Sequence, residues 1–244
     1  MQNLDEIRIV LVEPAGARNV GSIARVMANM GLQQLVIVNP QCDWLSEAAE
    51  HMAVRGRDIL TNAQIVADLP TALVDCRVVL ATTHRDIDLP QMPQPPRQAL
   101  ANLWQVAGVK AIVFGREDCG LTNQELDLAQ YYLRIPVAKN YTSLNLAQAV
   151  GICAYELYQM AQAEPVPVLP IQNFATADQI DRYFQHLEDL LLQVGYLQAH
   201  TAANRMSKLR KLANRATLSE EELALLWGTV KQVDWKLQHP EKEF

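Results

Sequence analysis

The sequence predicts an α/β protein built on a mostly parallel sheet with helices on both faces. Three observations lead there. Short apolar runs rich in Val and Ile recur at Ile7–Val12, Leu35–Asn39, Val78–Thr82, Ala111–Phe114 and Leu133–Pro136. Each run is separated from the next by a stretch long enough for a helix. Apolarity within the runs is continuous rather than alternating, as expected of strands covered on both sides. The first connection carries the best-marked helix, with Asn19 as N-cap, Gly31 as C′ residue, and Ile23, Val26, Met27 and Met30 as its core stripe. Pro90–Pro96 marks a loop inside this region. General topology rules favour an unknotted, doubly wound arrangement.

Past residue 163 the texture changes. Pro165, Pro167 and Pro170 fall within Glu164–Phe174, which reads as an extended linker. No strand-like run follows; Ile180, Phe184, Leu187, Leu191 and Val194 form one helical stripe and Leu223, Leu226, Trp227 and Val230 another. The expected organisation is a main domain over 1–163, a linker over 164–174 and a small helical extension over 175–244.

Length and composition narrow the function classes. With 244 residues, 50% hydrophobic and 20% charged, the chain fits an ordinary globular protein. The longest uncharged stretch, Val26 to Cys42, includes Asn29, Gln33, Gln34, Asn39 and Pro40, too polar for a membrane span. Asp5, Glu6 and Arg8 interrupt the start before a signal-peptide core can form. These features predict a cytoplasmic protein with no membrane partner. Cys42, Cys76, Cys119 and Cys153 lack paired metal-ligand spacing and read as reduced thiols, and no metal site is expected. The net charge of -6 opposes bulk attraction to nucleic acid. A local exception runs from His200 to Arg215, with Arg205, Lys208, Arg210, Lys211 and Arg215 and no acid. An RNA-backbone contact and an ordinary solvated helix face explain it equally well.

Three polar constellations sit at the ends of predicted strands, where open α/β sheets place ligands. The first is Arg18-Asn19-Val20-Gly21-Ser22-Ile23-Ala24-Arg25. Ser22, Arg25 and Asn29 face away from the apolar stripe, and Arg18 is expected to enter from the preceding loop. Two guanidinium groups near a helix N-terminus suit a phosphate, although a solvent-facing pair explains them as well. The second, Phe114-Gly115-Arg116-Glu117-Asp118-Cys119-Gly120-Leu121-Thr122, has glycines at phosphate-loop spacing but Leu121 where the lysine would be needed. Nucleotide hydrolysis is therefore disfavoured, while close approach of a ligand to the backbone is not. The third, Asn140-Tyr141-Thr142-Ser143-Leu144-Asn145-Leu146, opens a helix whose core face carries Leu146, Val150, Cys153 and Leu157. Ser143 or Thr142 would serve as its N-cap in the plainest reading.

Taken together, the ordered set Asn-x-Gly-Ser-x-x-Arg, Phe-Gly-Arg-Glu-x-x-Gly-Leu and Ile-Pro followed by Ser-Leu-Asn-Leu resembles the three motifs of the SPOUT RNA methyltransferases. Within that superfamily the chain is most similar to the TrmJ type of tRNA 2′-O-methyltransferase. Lys208–Ala216 and Glu222–Gly228 resemble that subgroup's helical tail more loosely. The resemblance implies a C-terminal trefoil knot in the sheet domain, S-adenosyl-L-methionine as cofactor, tRNA as partner and a homodimer with sites near the protomer interface.

Carried over residue by residue, the cofactor loops are Ala81-Thr82-Thr83, Gly115-Arg116-Glu117, Ile135-Pro136 and Thr142-Ser143-Leu144-Asn145. The reaction implied is methyl transfer to the ribose 2′-hydroxyl of a pyrimidine at position 32 of the anticodon loop. In-line placement and loss of a proton suffice for it, without a metal. Arg25 would fix the target phosphate and hydroxyl, because a guanidinium holds its proton too tightly to act as a base. Asn19 and Ser143 would orient ribose or cofactor, and Glu117 would order its loop. Arg18, Lys208, Arg210, Lys211 and Arg215 are the candidate RNA contacts. Two alternatives stay open: the same chemistry on ribosomal RNA, and a non-catalytic RNA-binding module of the same fold. Glu13–Gly16 and Thr82–Arg85 depart from the family pattern in loops that could alter substrate contacts. His84 reads as a loop residue, and Trp227 and Trp235 as packing or dimer residues.

Overall fold

The computed structural model describes residues 4–85, 89–138, 140, 143–163, 173–239 and 241. In chain order the sheet domain comprises β1 Ile7–Val12, α1 Ala17–Asn29, β2 Gln34–Val38, α2 Glu47–Ala53, α3 Arg57–Thr61, β3 Gln64–Val66, α4 Leu69–Leu73, β4 Val78–Thr82, α5 Pro96–Trp104, β5 Lys110–Phe114, α6 Asn123–Leu126, β6 Tyr131–Leu133 and α7 Leu146–Gln162. Three further helices follow: α8 Ala177–Gln193, α9 Ala202–Asn214 and α10 Glu220–Gln238.

All six strands are parallel, in the order β3-β2-β1-β5-β4-β6. Alternation along β1 explains its continuous apolarity. Ile7, Ile9 and Leu11 join a core with α1, α5 and α7, while Val10 and Val12 join a second core with α4 and α6. Every residue of β1 is buried, so both faces need apolar side chains. Arg8 is the exception. Its guanidinium donates to both carboxylate oxygens of Asp75 (2.7 and 3.0 Å) and to the Ala72 carbonyl (2.7 Å), as a buried charge requires.

Helix α1 sets the position of the first polar constellation. Val20, Ile23, Ala24 and Met27 are buried, the three larger ones stabilising the packing by roughly 5–9 kcal/mol in all. The start differs from expectation. Gly16 is the N-cap and the helix already includes Arg18, so Asn19 lies in its first turn with its amide turned to other work. Gly31 follows the last turn with φ +71°, as expected. The Leu133–Pro136 run is shifted, with β6 ending at Leu133, and the three-residue β3 was not anticipated from the sequence.

The connection between β4 and α5 straddles β6. The Thr83 N–H donates to the Leu133 carbonyl (2.9 Å) on one side. On the other, the Gln94 N–H donates to the Tyr132 carbonyl and the Arg134 N–H to the Gln94 carbonyl, both at 2.9 Å. The end of β6 therefore lies between the two described arms of this loop, an arrangement consistent with the expected knot.

The last three helices have a core of their own, with Ile180, Phe184, Leu190, Met206, Leu223 and Val230 inside. Capping boxes at Thr176 and Ser219 fix the starts of α8 and α10. Trp227 packs edge-on to Tyr183, with ring centroids 6.3 Å apart, and Trp235 stacks on His239 at 4.9 Å. Of the expected linker, 164–172 lie outside the described residues. Phe174 bridges to Ser219, and the Ala177 N–H donates to the Cys76 carbonyl (2.9 Å). Arg77 reaches both the Phe174 carbonyl and Glu220. No helix among the described residues is long and apolar enough to cross a membrane.

Candidate active site

A cleft of about 250 Å³ opens where β4, β5 and β6 end. Its walls come from the loop after β4 (Thr82 to Arg85), the loop after β5, and Ile135, Val137, Ser143 and Leu144 leading into the first turn of α7. This is the carboxyl edge of a parallel sheet, the place where strand-to-helix loops converge.

The loop after β5 is a tight hairpin, with Arg116 and Gly120 exchanging backbone hydrogen bonds of 3.3 and 3.0 Å. Its glycines are required by space and by dihedral angle. A Cβ on Gly115 would lie 2.3 Å from the Gly120 carbonyl carbon, and Gly120 has φ +71°. Arg116 anchors the hairpin from beneath. Its Nη1 and Nη2 each donate to Glu125 at 3.0 Å, and its Nε donates to Glu13 at 2.7 Å. Glu13 is held below the usual carboxylate range by Arg116 and then by Asn39. For Glu125 burial pushes upward, but the bonds from Arg116 and the Thr122 N–H outweigh it and the net direction is down.

Glu117 joins the three polar constellations. Its carboxylate accepts from the Ala15 N–H, the Gly16 N–H and the Asn19 amide, each at 3.1 Å. Asn19 Oδ1 in turn accepts from Asn145 Nδ2 at 2.9 Å, and Asn145 Oδ1 caps α7 by accepting from the Ala147 N–H at 2.9 Å. Partial burial raises the Glu117 carboxyl, yet the donors from Ala15, Asn19 and Gly16 prevail and keep it ionised. Asn145, rather than Ser143 or Thr142, is therefore the N-cap of α7.

The expected residues distribute unevenly. Thr82, Thr83, Gly115, Arg116, Glu117, Ile135, Ser143 and Leu144 line the cleft. Ala81 is buried inside β4 at 1% exposure, Pro136 is exposed outside the lining, and Thr142 lies outside the described residues. Asn19 and Asn145 act one step back, through Glu117. Arg18 and Arg25 are exposed on α1, and Arg25 is not part of the lining. In α9, Arg210 is bound to Asp181 at 2.6 Å and stacks over Phe184 at 4.7 Å, and Lys211 lies 3.9 Å from Asp127. Lys208 and Arg215 are exposed.

Sequence reasoning missed Leu133, Val137, Leu146 and Ala149 as wall residues, and took His84 and Arg85 only as loop departures. Arg85 braces the wall by donating to the Leu121 carbonyl (2.8 Å) and to Asn123 Oδ1 (3.1 Å). The available signal was positional: all of these flank the ends of β4 and β6 or the start of α7.

Chemically, the cleft combines an apolar side (Phe114, Leu133, Ile135, Leu144, Leu146) with a hairpin backbone open to close approach. Two carboxylates, Glu117 and Asp118, stand on one rim, and both are held below their ordinary range. That donor set fits a flat heteroaromatic base joined to a cationic group. Among the described residues, no group of three or more His, Cys, Asp or Glu side chains is placed to hold a metal ion.

Comparison with known proteins gives a consistent set of likenesses. The SpoU rRNA Methylase family model matches residues 6–155, and the model for the C-terminal domain of tRNA methyltransferase TrmJ matches residues 178–242. The tRNA (cytidine/uridine-2′-O-)-methyltransferase TrmJ of Pectobacterium atrosepticum is 39% identical over 236 residues, covering 94% of this chain and 97% of that protein. The tRNA (cytidine/uridine/adenosine-2′-O-)-methyltransferase TrmJ of Pseudomonas aeruginosa is 37% identical over 242 residues, covering 94% of each. The crystal structure of TrmJ from Z. mobilis superposes with a TM-score of 0.84 at 29% identity, covering 93% of this chain and 98% of that one.

Proposed function

The chain belongs to the SpoU methylase family, and on that premise we propose that it is an S-adenosyl-L-methionine-dependent tRNA 2′-O-methyltransferase acting on cytidine or uridine. The observation that carries this reading is the Glu117 junction. One carboxylate gathers Asn19 from the first constellation, Ala15 and Gly16 from the loop before it and, through Asn19, Asn145 from the third, all beside a cleft lined by the second. The target we assign is the pyrimidine at position 32, an unpaired ribose that can be presented to an open cleft. Matching of the tail to a tRNA methyltransferase domain favours tRNA over ribosomal RNA.

When bound, the cofactor supplies a methyl group already activated on a sulfonium. Gly115 and Gly120 let the hairpin backbone approach the adenosyl group, and Leu133, Ile135 and Leu144 exclude water around it. Glu117 and Asp118 place negative charge on the rim, which suits a cation. Ser143, in the stretch leading into α7, would orient the ribose, with Asn19 acting one step back through Glu117. Arg25 would fix the target phosphate and stabilise charge on the 2′ oxygen as its proton passes to solvent water, a task for a permanent cation rather than a base. Arg18, Lys208 and Arg215 supply further phosphate contacts, with Arg210 and Lys211 contributing less because carboxylates already engage them.

We also propose a cytoplasmic homodimer divided as 1–163, 164–174 and 175–244. Ile152 (37% exposed) and Tyr155 (50% exposed) offer an apolar patch on α7, which packs on α1 beside Val26. A second copy seated there would bring the exposed Arg25 to the interface.

The test uses purified protein, labelled cofactor and unmodified transcripts. Label should enter tRNA and disappear when position 32 carries a 2′-deoxyribose. Transfer to ribosomal RNA fragments instead, or to no transcript at all, would overturn the assignment.

A further inference from the structure

The segment 121–129 is held from two sides. On the cleft side, Leu121 is a wall residue, Arg85 grips the Leu121 carbonyl and Asn123, and the Glu125 carboxylate takes both Arg116 Nη atoms and the Thr122 N–H (2.7 Å). On the far side stands α9. Asp127, with a side chain 11% exposed, accepts from the Ser207 hydroxyl and lies near Lys211. Asn214, 5% exposed, donates its amide to the Asp127 carbonyl (2.8 Å) and the Ala129 carbonyl (3.1 Å). Ser207, Lys211 and Asn214 follow i, i+4, i+7 spacing and so form one face of α9.

Helix α6 is only four residues long, far too short to hold its own shape. Its geometry comes from what grips its ends. Tyr132 steadies it from the sheet, its hydroxyl hydrogen shared between the Leu126 and Ala129 carbonyls at 3.2 Å, the Gln130 N–H donates to the Val79 carbonyl (3.0 Å), and the α9 face grips it from outside. We propose that Asp127 and Asn214 are positioning residues for cofactor binding: the helical extension, docked through α9, fixes the outer end of the segment whose inner end is the cleft wall. The extension is then part of the cofactor site's scaffold as well as a candidate RNA contact. This rests on reading the cleft as the S-adenosyl-L-methionine site.

The experiment is calorimetric titration of S-adenosyl-L-methionine into the full-length protein and into Asn214→Ala, Asp127→Asn, Ser207→Ala and Arg182→Ala variants, with Tm measured alongside. Asn214→Ala and Asp127→Asn should raise Kd about five- to tenfold, the lower part of the range for coupled sites. Arg182→Ala, which breaks an exposed pair within α8, should leave Kd unchanged. A lowered Tm with Kd within about twofold of wild type would show a purely structural role and overturn the proposal, as would an equal loss in Arg182→Ala. If Asn214→Ala and Asp127→Asn do not fold, Ser207→Ala decides: a rise above about twofold supports the coupling and no change overturns it. Failure of the wild-type protein to bind the cofactor would instead overturn the reading of the cleft.

Discussion

Removing the Arg116–Glu125 pair should unfasten the hairpin that walls the cleft, at a cost with a defined pH signature. Arg116 and Glu125 are 18% and 17% exposed in their side chains and share two parallel bonds of 3.0 Å. Each charge-assisted bond contributes about 1.5–3 kcal/mol net of competition from water, and the residual solvent access of this pair keeps its total toward the lower end of that range. A coupling energy of about 2 kcal/mol is therefore expected from the double-mutant cycle of Arg116→Ala and Glu125→Gln. The cycle removes the separate loss of the Arg116 contact to Glu13. Folding depresses the Glu125 carboxyl below its ordinary value, so its contribution is present above the unfolded value and lost as pH falls through the folded one. Urea unfolding from pH 7 downward is the assay. The coupling should be constant above about pH 5 and fall below pH 4.5, by at most about 1.4 kcal/mol per unit. A coupling under about 0.5 kcal/mol at pH 7, or one that grows on acidification, would refute the reasoning.

Other consequences are equally direct. Arg25→Ala should lower kcat on saturating tRNA by about 100-fold while cofactor Kd stays constant, and Arg25→Lys should rescue little; an unaltered kcat removes Arg25 from the chemistry. Replacing the exposed Lys208 and Arg215 together by alanine should weaken tRNA binding and flatten its salt dependence by about one unit per cation, a change absent if both face only solvent. Gly115→Ala forces a Cβ against the Gly120 backbone at 2.3 Å and should destabilise by about 1–3 kcal/mol while weakening cofactor binding, read by thermal unfolding and calorimetry. Burial pushes the Cys76 and Cys153 thiols up to about 12, so a thiol reagent at pH 8 should modify the exposed Cys119 and reach those two only after denaturation.

Legibility of the molecule in its sequence follows burial. Ile7–Val12 and Val78–Thr82 are strands at the residues where continuous apolarity places them, because both faces are covered. Gln64–Val66 carries no such signature, since an edge strand with two of its three residues exposed has little apolar demand. Asn19 misled for a physical reason. An Asn before an apolar stripe has the chemistry of an N-cap, and only the distant Glu117 shows why its amide is needed elsewhere. Likewise Arg210 and Lys211 look like free cations in a basic run, and their carboxylate partners Asp181 and Asp127 lie far away in sequence. The glycines of the second constellation were readable as points of close backbone approach; that Arg116 beside them is an internal anchor was not.

The seating of β6 between Thr83 and Gln94, the point where a knotted sheet would thread its chain, bears on the order of assembly. Roughly a hundred residues, including three helices that pack around Phe184 and Met206, lie beyond that gap. A bare strand can slip through such an opening; a finished bundle cannot. Either the tail crosses before it compacts, or the arms close around it afterwards. A ribosome delivering the first 140 residues well ahead of the rest would favour the earlier crossing, and a protease motor hauling from the carboxyl terminus would cinch the loop against the bundle before freeing the sheet.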